Sequence, residues 1–235
     1  MDKPTAKTAI LLGATGLVGQ ELLKMLLSSE DYGEVLAIVR RRLPEREKLK
    51  QLVVDDWDAL EEHAEWFEGA TDVFCCLGTT MKKAGTQVNF RKVDYDYPFM
   101  SARLAKATGA ERFIIITAMG ANAGSRVFYN RVKGELEAAI RELRLPSVAI
   151  LRPSLLLGKR DEFRFGEQAA AWLSKLMPFK AALMKYKPIP ASTVAAVMLR
   201  VAQMYLPGTH VFDNEQLHRM GEKHDESKLP GTDAG

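Results

Sequence analysis

The stretch Gly13-Ala14-Thr15-Gly16-Leu17-Val18-Gly19 follows directly on the apolar run of residues 9–12 and opens a helical pattern that continues to Ser29. A short apolar strand, a glycine turn and an amphipathic helix in that order are how a doubly wound α/β sheet begins. Each glycine has its own task. Gly13 permits the tight turn, Gly16 lets a phosphate approach the backbone, and Gly19 lets the helix pack closely on the strand. The first N–H groups of the helix, at Leu17 and Val18, carry a partial positive charge suited to a pyrophosphate, and Thr15 can add a hydroxyl. Three glycines in seven residues also occur in plain loops. The strand before, the helix after and a second strand ending about twenty residues on separate the two readings.

Outward from the loop, short continuous apolar runs at residues 35–39, 52–54, 73–77, 113–116 and 148–151 alternate with helical patterns at 16–29, 89–108 and 128–143. Unbroken apolar strands are covered on both faces, and strands alternating with helices form a parallel sheet. The fold expected is therefore α/β, a doubly wound parallel sheet of the Rossmann fold, with a small C-terminal helical substrate region. Residues 1–213 read as one domain, with 155–192 as its substrate-side segment and 214–235 as a polar, frayed tail. The aromatics Phe163, Phe165, Trp172 and Phe179 can line an apolar pocket or simply fill core. A helix is expected over 193–204 behind Pro188 and Pro190, with Ser192 as its cap.

The second strand ends in Arg40-Arg41-Arg42. An NAD site usually places a carboxylate there for the ribose 2′-hydroxyl, whereas a guanidinium matches a 2′-phosphate in charge and geometry. NADP(H) is accordingly expected over NAD(H), through Arg40 and Arg41, with Arg42 left as a solvated cation. Asp55 follows strand three, where an adenine amino group can be met, although it or Asp56 equally suits a helix cap. Leu77-Gly78-Thr79 follows strand four, and a glycine there lets the nucleotide lie against the backbone. Pro153 follows strand six.

Tyr129 is the one tyrosine of six with a lysine four residues on, Lys133, and the two share a helix face. A phenol of ordinary pKa near 10 is a poor base at neutral pH, and a neighbouring cation favours the phenolate. Tyr129 is expected to exchange a proton with a substrate oxygen while Lys133 assists and holds ribose hydroxyls. Thr117, twelve residues before Tyr129, would offer that oxygen a hydroxyl; threonine at a strand end also has plain packing reasons. Gly13, Arg40, Asp55, Gly78, Thr117 and Pro153 all follow the carboxyl ends of expected strands, the edge at which open parallel sheets bind ligands.

The chain has 33 basic and 30 acidic residues and a net charge of +3. That balance argues against nucleic acid or an anionic membrane as partner. Its only cysteines, Cys75 and Cys76, are adjacent on a strand, too poorly oriented to bridge, so reduced thiols and a cytoplasmic setting are expected. With four scattered histidines no metal site is expected, and no run is long enough for a membrane span.

Taken together these residues resemble an atypical short-chain dehydrogenase/reductase, whose looser G-x-x-G-x-x-G spacing the loop shares. More closely, the chain is similar to the Tat-interacting-protein family of NADPH-binding oxidoreductases. The likeness runs through residues 13–19, Arg40-Arg41, 72–80, 92–97, 129–135 and Arg152-Pro153, and Cys75-Cys76-Leu77-Gly78-Thr79-Thr80 is its most specific piece. It implies NADP(H) contacts from the glycine loop, Arg40, Arg41, Leu77, Gly78, Tyr129 and Lys133, and suggests Leu156 and Arg164 beyond Pro153. One departure stands out: Thr117-Ala118 occupies the place of paired serines, so one hydroxyl is missing. The activity expected is NADP(H)-dependent hydride transfer to or from a small carbonyl or alcohol. The alternatives are an NADPH-binding redox-sensing protein with a protein partner and little turnover, and an epimerase-like activity with resident NAD. Oligomeric state is not indicated.

Overall fold

The structure, a computed structural model, describes residues 6–158 and 186–226. Its main sheet has seven parallel strands: β1 (Lys7–Leu12), β2 (Tyr32–Val39), β3 (Leu49–Val53), β4 (Asp72–Cys75), β5 (Arg112–Ile116), β6 (Ser147–Arg152) and β9 (Gly208–Asp213), in the order β3-β2-β1-β4-β5-β6-β9. The continuous apolar runs are the reason. Ala9, Ile10, Leu11 and Leu12 are all fully buried, which requires cover on both faces. The helices provide it. On one face lie α1 (Leu17–Ser28) and α6 (Ala191–Ala202), through Leu22, Leu26, Val194 and Met198; on the other lie α4 (Tyr97–Ala107), α5 (Phe128–Glu142) and the 3-10 segment Trp57–Phe67. Cys75 packs into the second layer and Cys76 against the first, so the free thiols face apart as strand alternation requires.

Successive strands are laid down outward to one side from β1 to β3 and to the other side from β4 to β9, and β1 and β4 pair directly. That junction is the topological switch point, and its carboxyl end is the crevice where such sheets bind ligands. At the opposite edge buried Asp72 is held by the Tyr32 hydroxyl at 2.6 Å and by Arg112 at 2.8 Å, which satisfies the carboxylate.

Several elements depart from expectation. The strand β9 has half-exposed, mixed residues in place of an apolar run, as an edge strand does, so periodicity gave no sign of it. Residues 214–226, expected as frayed tail, form helix α7 (Asn214–Glu226). Its Leu217 is fully buried, Asn214 and His218 nearly so, and a Cβ at Gly221 would stand 2.3 Å from Thr193 of α6. The helix α6 begins behind Pro190 with no side-chain cap, so Ser192 lies inside its first turn. The helix expected over 89–108 is broken into α3 (Gln87–Arg91), a π-helical segment (Lys92–Asp96) and α4, with the short α2 (Met81–Ala84) before them. Of the substrate-side segment only the ends are described, where β7 (Leu156–Leu157) pairs with β8 (Ile189–Pro190); Arg164 lies outside the described residues.

Candidate dinucleotide and proton-transfer site

The glycine loop is a tight cradle. Gly13 has φ +84°, and a Cβ there would stand 2.6 Å from the Cys76 carbonyl oxygen, so only glycine lets β1 and β4 end side by side. Gly16 N–H donates to the Gly13 carbonyl at 3.0 Å. A Cβ at Gly19 would meet that same carbonyl oxygen at 2.1 Å, which shows how closely α1 sits on the turn. Gly16 is the N-cap of α1 and contributes no side chain, and the first turn holds no acidic residue. The N–H groups of that turn are thus left for an external anion. Thr15 and Gly16 are exposed, Leu17 is half-buried and Val18 is buried against α6 and the sheet. These residues fit the pyrophosphate of a dinucleotide.

Beyond β2, Arg40 and Arg41 are exposed, and among the described residues neither they nor Arg42 has a hydrogen bond or ion pair. The loop's far end is tied down: Leu43 N–H donates to Gln51 Oε1 at 2.7 Å, and Gln51 Nε2 donates to the Leu43 carbonyl at 3.1 Å. Asp55 is exposed beyond β3, and it is Asp56 that caps the following 3-10 segment by accepting from Asp58 N–H at 2.9 Å.

Past β4 the backbone turns beneath a buried ion pair. Lys133 Nζ lies 2.8 Å from Asp94 Oδ1, with both side chains almost wholly buried. The Thr79 N–H donates to Asp94 Oδ2 at 2.8 Å. A Cβ at Gly78 would come within 3.5 Å of Asp94 Oδ1 and 4.0 Å of Lys133 Nζ, so the turn after β4 lies directly against the pair. Leu77 packs beside them against the second core layer. Sequence reasoning placed Gly78 and Lys133 here and missed Asp94. The sole sign of it was the family-like stretch of residues 92–97, in which nothing singles out one acid from its neighbours.

Tyr129 sits in the first turn of α5, its ring 5.5 Å from that of Phe90. Its hydroxyl has no hydrogen bond among the described residues, so it is uncommitted. The expected lowering of its pKa by Lys133 does not occur. Burial raises it, the ammonium pulls it down too weakly to compensate, and Asp94 adds to the rise. For Lys133, burial opposes the charge, but Asp94 and Tyr129 outweigh it and the pKa is raised; burial likewise pushes the Asp94 carboxyl up against the pull of Lys133 and Thr79 N–H.

Thr117 also departs from its expected role. It is buried, and its hydroxyl donates to Glu137 Oε1 at 2.6 Å, with the Leu151 carbonyl at 3.5 Å as a second acceptor. A hydroxyl has one proton, and this one is spent on a carboxylate. Glu137, two turns along α5 from Tyr129, is further held by Arg152, whose Nε donates to Oε1 at 3.0 Å and whose Nη2 donates to Oε2. Thr117 thus ties α5 to the ends of β5 and β6, and Ala118 beside it has no hydroxyl. The buried Pro153 accepts from Met119 N–H at 2.9 Å, bracing this same loop, and Leu156 in β7 is half-buried at its rim. Among the described residues no cluster could hold a metal ion.

A family model described as NAD(P)H-binding matches residues 13–204. Protein HTATIP2 of Rattus norvegicus is 36% identical over 229 residues, 95% of this chain and 93% of that one. The mitochondrial protein FMP52 of Debaryomyces hansenii is 35% identical over 203 residues, covering 83% and 87% of the two chains. Among solved structures, MoeE5 in complex with UDP-glucose and NAD matches with a TM-score of 0.68 at 15% identity, over 94% of this chain and 82% of that one. A short chain dehydrogenase family protein from Francisella tularensis matches with a TM-score of 0.63 at 10% identity, over 91% and 100%. At such identities the structural likeness is one of fold.

Proposed function

This chain belongs to the NAD(P)H-binding family, and from that premise we propose that it is an NADP(H)-dependent oxidoreductase acting on a small carbonyl or alcohol, with Tyr129 as proton donor. The observation that carries the reading is the Tyr129 hydroxyl, without a hydrogen bond among the described residues, one helical turn from Lys133, whose ammonium lies near Gly78 at the end of β4. The Gly13–Gly16–Gly19 turn and the start of α1 would hold the pyrophosphate, and Arg40 and Arg41, unpaired among the described residues, favour a 2′-phosphate. Lys133, beneath Gly78, is within reach of ribose hydroxyls. Bound there, the reduced cofactor supplies the hydride. Tyr129 gives its hydroxyl proton to the carbonyl oxygen, and the phenolate it becomes is stabilised by Lys133 until water returns the proton. Two adjacent free thiols suit a reducing compartment such as the cytosol; the names of the FMP52 relatives assign those proteins to mitochondria.

A second reading rests on Thr117 and Ala118. With the threonine hydroxyl donated to Glu137 and no hydroxyl at 118, the carbonyl oxygen lacks its expected second donor. Slow turnover, with nucleotide occupancy itself as the signal to a protein partner, fits that gap. The test is NADPH oxidation with a panel of aldehydes and ketones by the wild-type chain and Tyr129→Phe. The reading expects the variant to bind NADPH normally and to lose at least about a hundredfold in turnover. Full turnover without the phenol would sink the mechanism, and NADPH binding with no turnover on any carbonyl would favour the second reading.

A further inference from the structure

The two stretches that flank the proton-transfer residues carry charge of one sign. Acidic residues average about one in eight along the chain. Yet residues 77–93, which follow β4, and residues 117–134, which follow β5 and run into α5, hold none. Both leave the carboxyl edge of the sheet, and between them they carry seven basic side chains. Four of these are neutralised from elsewhere: Arg91 and Arg131 by Glu135, Lys92 by Asp58 and Lys133 by Asp94. The remaining three, Lys82, Lys83 and Arg126, are exposed, and among the described residues their side chains have no hydrogen bond or ion pair.

Ordered backbone nevertheless supports each of them. Thr80 caps α2 by accepting from Lys83 N–H at 3.2 Å, and the Ala84 carbonyl accepts from Asn89 Nδ2 at 3.1 Å. Phe90 follows at once. Its ring lies 5.7 Å from that of Phe128 and 5.5 Å from that of Tyr129, so α3 packs onto the start of α5. Arg126 stands between Ser125, whose carbonyl accepts from Arg131 Nη1 at 3.1 Å, and Val127, whose N–H donates to Ser125 Oγ at 3.1 Å. Lys82 and Lys83 come four and five residues after Gly78, which lies against Lys133, and Arg126 comes three before Tyr129. The chain between can span at most about 18 Å in the first case and about 11 Å in the second.

We propose that the carbonyl substrate carries an anionic oxyacid group, a carboxylate or a phosphate, and that Lys82, Lys83 and Arg126 are the residues that select it. The inference rests on the oxidoreductase reading and names its substrate class. That reading assigns the cofactor's own phosphates to the first turn of α1 and to Arg40 and Arg41 beyond β2, which leaves these three cations for another anion. The use of a charged handle follows from Thr117 and Ala118. With the threonine hydroxyl donated to Glu137 and no hydroxyl at 118, the carbonyl oxygen has Tyr129 alone to orient it. A second attachment, away from the reacting carbon, fixes the carbonyl against the phenol. Unpaired cations beside the site also raise the local concentration of an anion.

The experiment is NADPH oxidation with a panel of aldehydes and ketones in which each acid is run beside its neutral twin. The panel includes para-carboxybenzaldehyde with its methyl ester, and glyceraldehyde phosphate with glyceraldehyde. Acids are expected to show kcat/KM about tenfold or more above their twins, chiefly through KM, with the advantage shrinking as salt is added. Whether the carboxylate or the phosphate pairs show it tells the two groups apart. Lys82→Ala, Lys83→Ala and Arg126→Ala combined are expected to abolish the advantage, with NADPH affinity and Tm as in the wild type because no internal contact of these side chains is lost. Lys82→Arg, Lys83→Arg and Arg126→Lys combined, which keep the charge, should retain most of it. Neutral twins used as well as acids, or an advantage that survives the alanine variant, overturns the inference and leaves the oxidoreductase reading standing. No turnover of any carbonyl, charged or neutral, by a chain that binds NADPH refutes that reading and the inference with it.

Discussion

Replacing Gly19 with alanine asks whether α1 sits on the glycine turn as tightly as the geometry states. The new Cβ would stand 2.1 Å from the Gly13 carbonyl oxygen, 2.8 Å from its carbon and 3.1 Å from Ala14 Cα. Ordinary carbon contacts lie near about 3.5 Å, so the shortfall is about 1.4 Å. All three neighbours are backbone and cannot swing aside. Overpacking costs about 1–3 kcal/mol, and the displaced main chain argues for the upper part of that range. Alanine is favoured over glycine inside a helix by about 1 kcal/mol, which leaves a net loss of about 2 kcal/mol. At about 2–4 °C per kcal/mol for a chain of this size, Tm should fall by about 4–8 °C. Helix propensity alone predicts a rise, so the sign decides. The same displacement moves the N–H groups of α1 away from Gly13, and NADPH affinity in a fluorescence titration should weaken by about tenfold or more, about 1.4 kcal/mol. Gly16→Ala, whose Cβ would lie 3.3 Å from the same oxygen, should lower Tm less. A Gly19→Ala protein with wild-type Tm and wild-type NADPH affinity would refute the close-packed cradle.

Arg40→Ala and Arg41→Ala should each weaken NADPH by about ten- to a hundredfold, the value of about 1.5–3 kcal/mol for a charge-assisted contact, while leaving NADH affinity and Tm unchanged because neither side chain has an internal partner among the described residues. Equal losses for both nucleotides in paired titrations would remove the arginines from the 2′-phosphate. Stability should also fall on the alkaline side. Cys75 has an ordinary value of 9.0 and is pushed up to about 11 by burial, so between those pH values the unfolded chain releases a proton that the folded chain keeps. The contribution is present in full below pH 9 and declines through pH 11, by at most about 2.7 kcal/mol. Burial acts on Tyr32 and Tyr129 in the same sense, beginning near pH 10. Urea midpoints at pH 8, 9 and 10 should show the fall, and Cys75→Ala should lessen its first part, with Cys76, also raised by burial, supplying what remains; an equally steep fall in that variant would show that Cys75 ionises freely in the folded state.

How far the fold could be read from the chain follows from what burial demands of each element. Strands covered on both faces, such as β1 and β5, must be continuously apolar, and that pattern is visible without a structure. The edge strand β9 is under no such demand, and its Thr-His-Val-Phe reads as a loop until β6 pairs with it. The helix α7 escaped for a related reason. Its exposed face is strongly charged, and the few residues it buries, Leu217 among them, are too sparse to stand out from a solvated tail. The π-helical break was hidden because a single inserted residue barely disturbs the apolar spacing on either side.

For the site, spacing reveals which residues share a face but not which partner each one takes. Tyr129 and Lys133 four apart, and glycines at the ends of β1 and β4, were legible because backbone geometry alone brings them together. Thr117 was expected to serve substrate because it ends a strand at the ligand-binding edge. Its hydroxyl is claimed by Glu137, and that claim depends on Arg152 holding the carboxylate from a different strand. Lys133 was expected to lower the Tyr129 pKa because a cation one turn away should. Burial raises it instead, and Asp94, which pairs with Lys133 from 39 positions earlier in the chain, adds to the rise. Both corrections have one cause: the chemistry of a buried side chain is set by its loss of water and by the partners that the fold brings beside it, and neither is visible in local spacing. A sequence motif therefore brings a phenol and a cation onto one helix face, while the partners and the burial of each are decided by the residues the fold delivers around them.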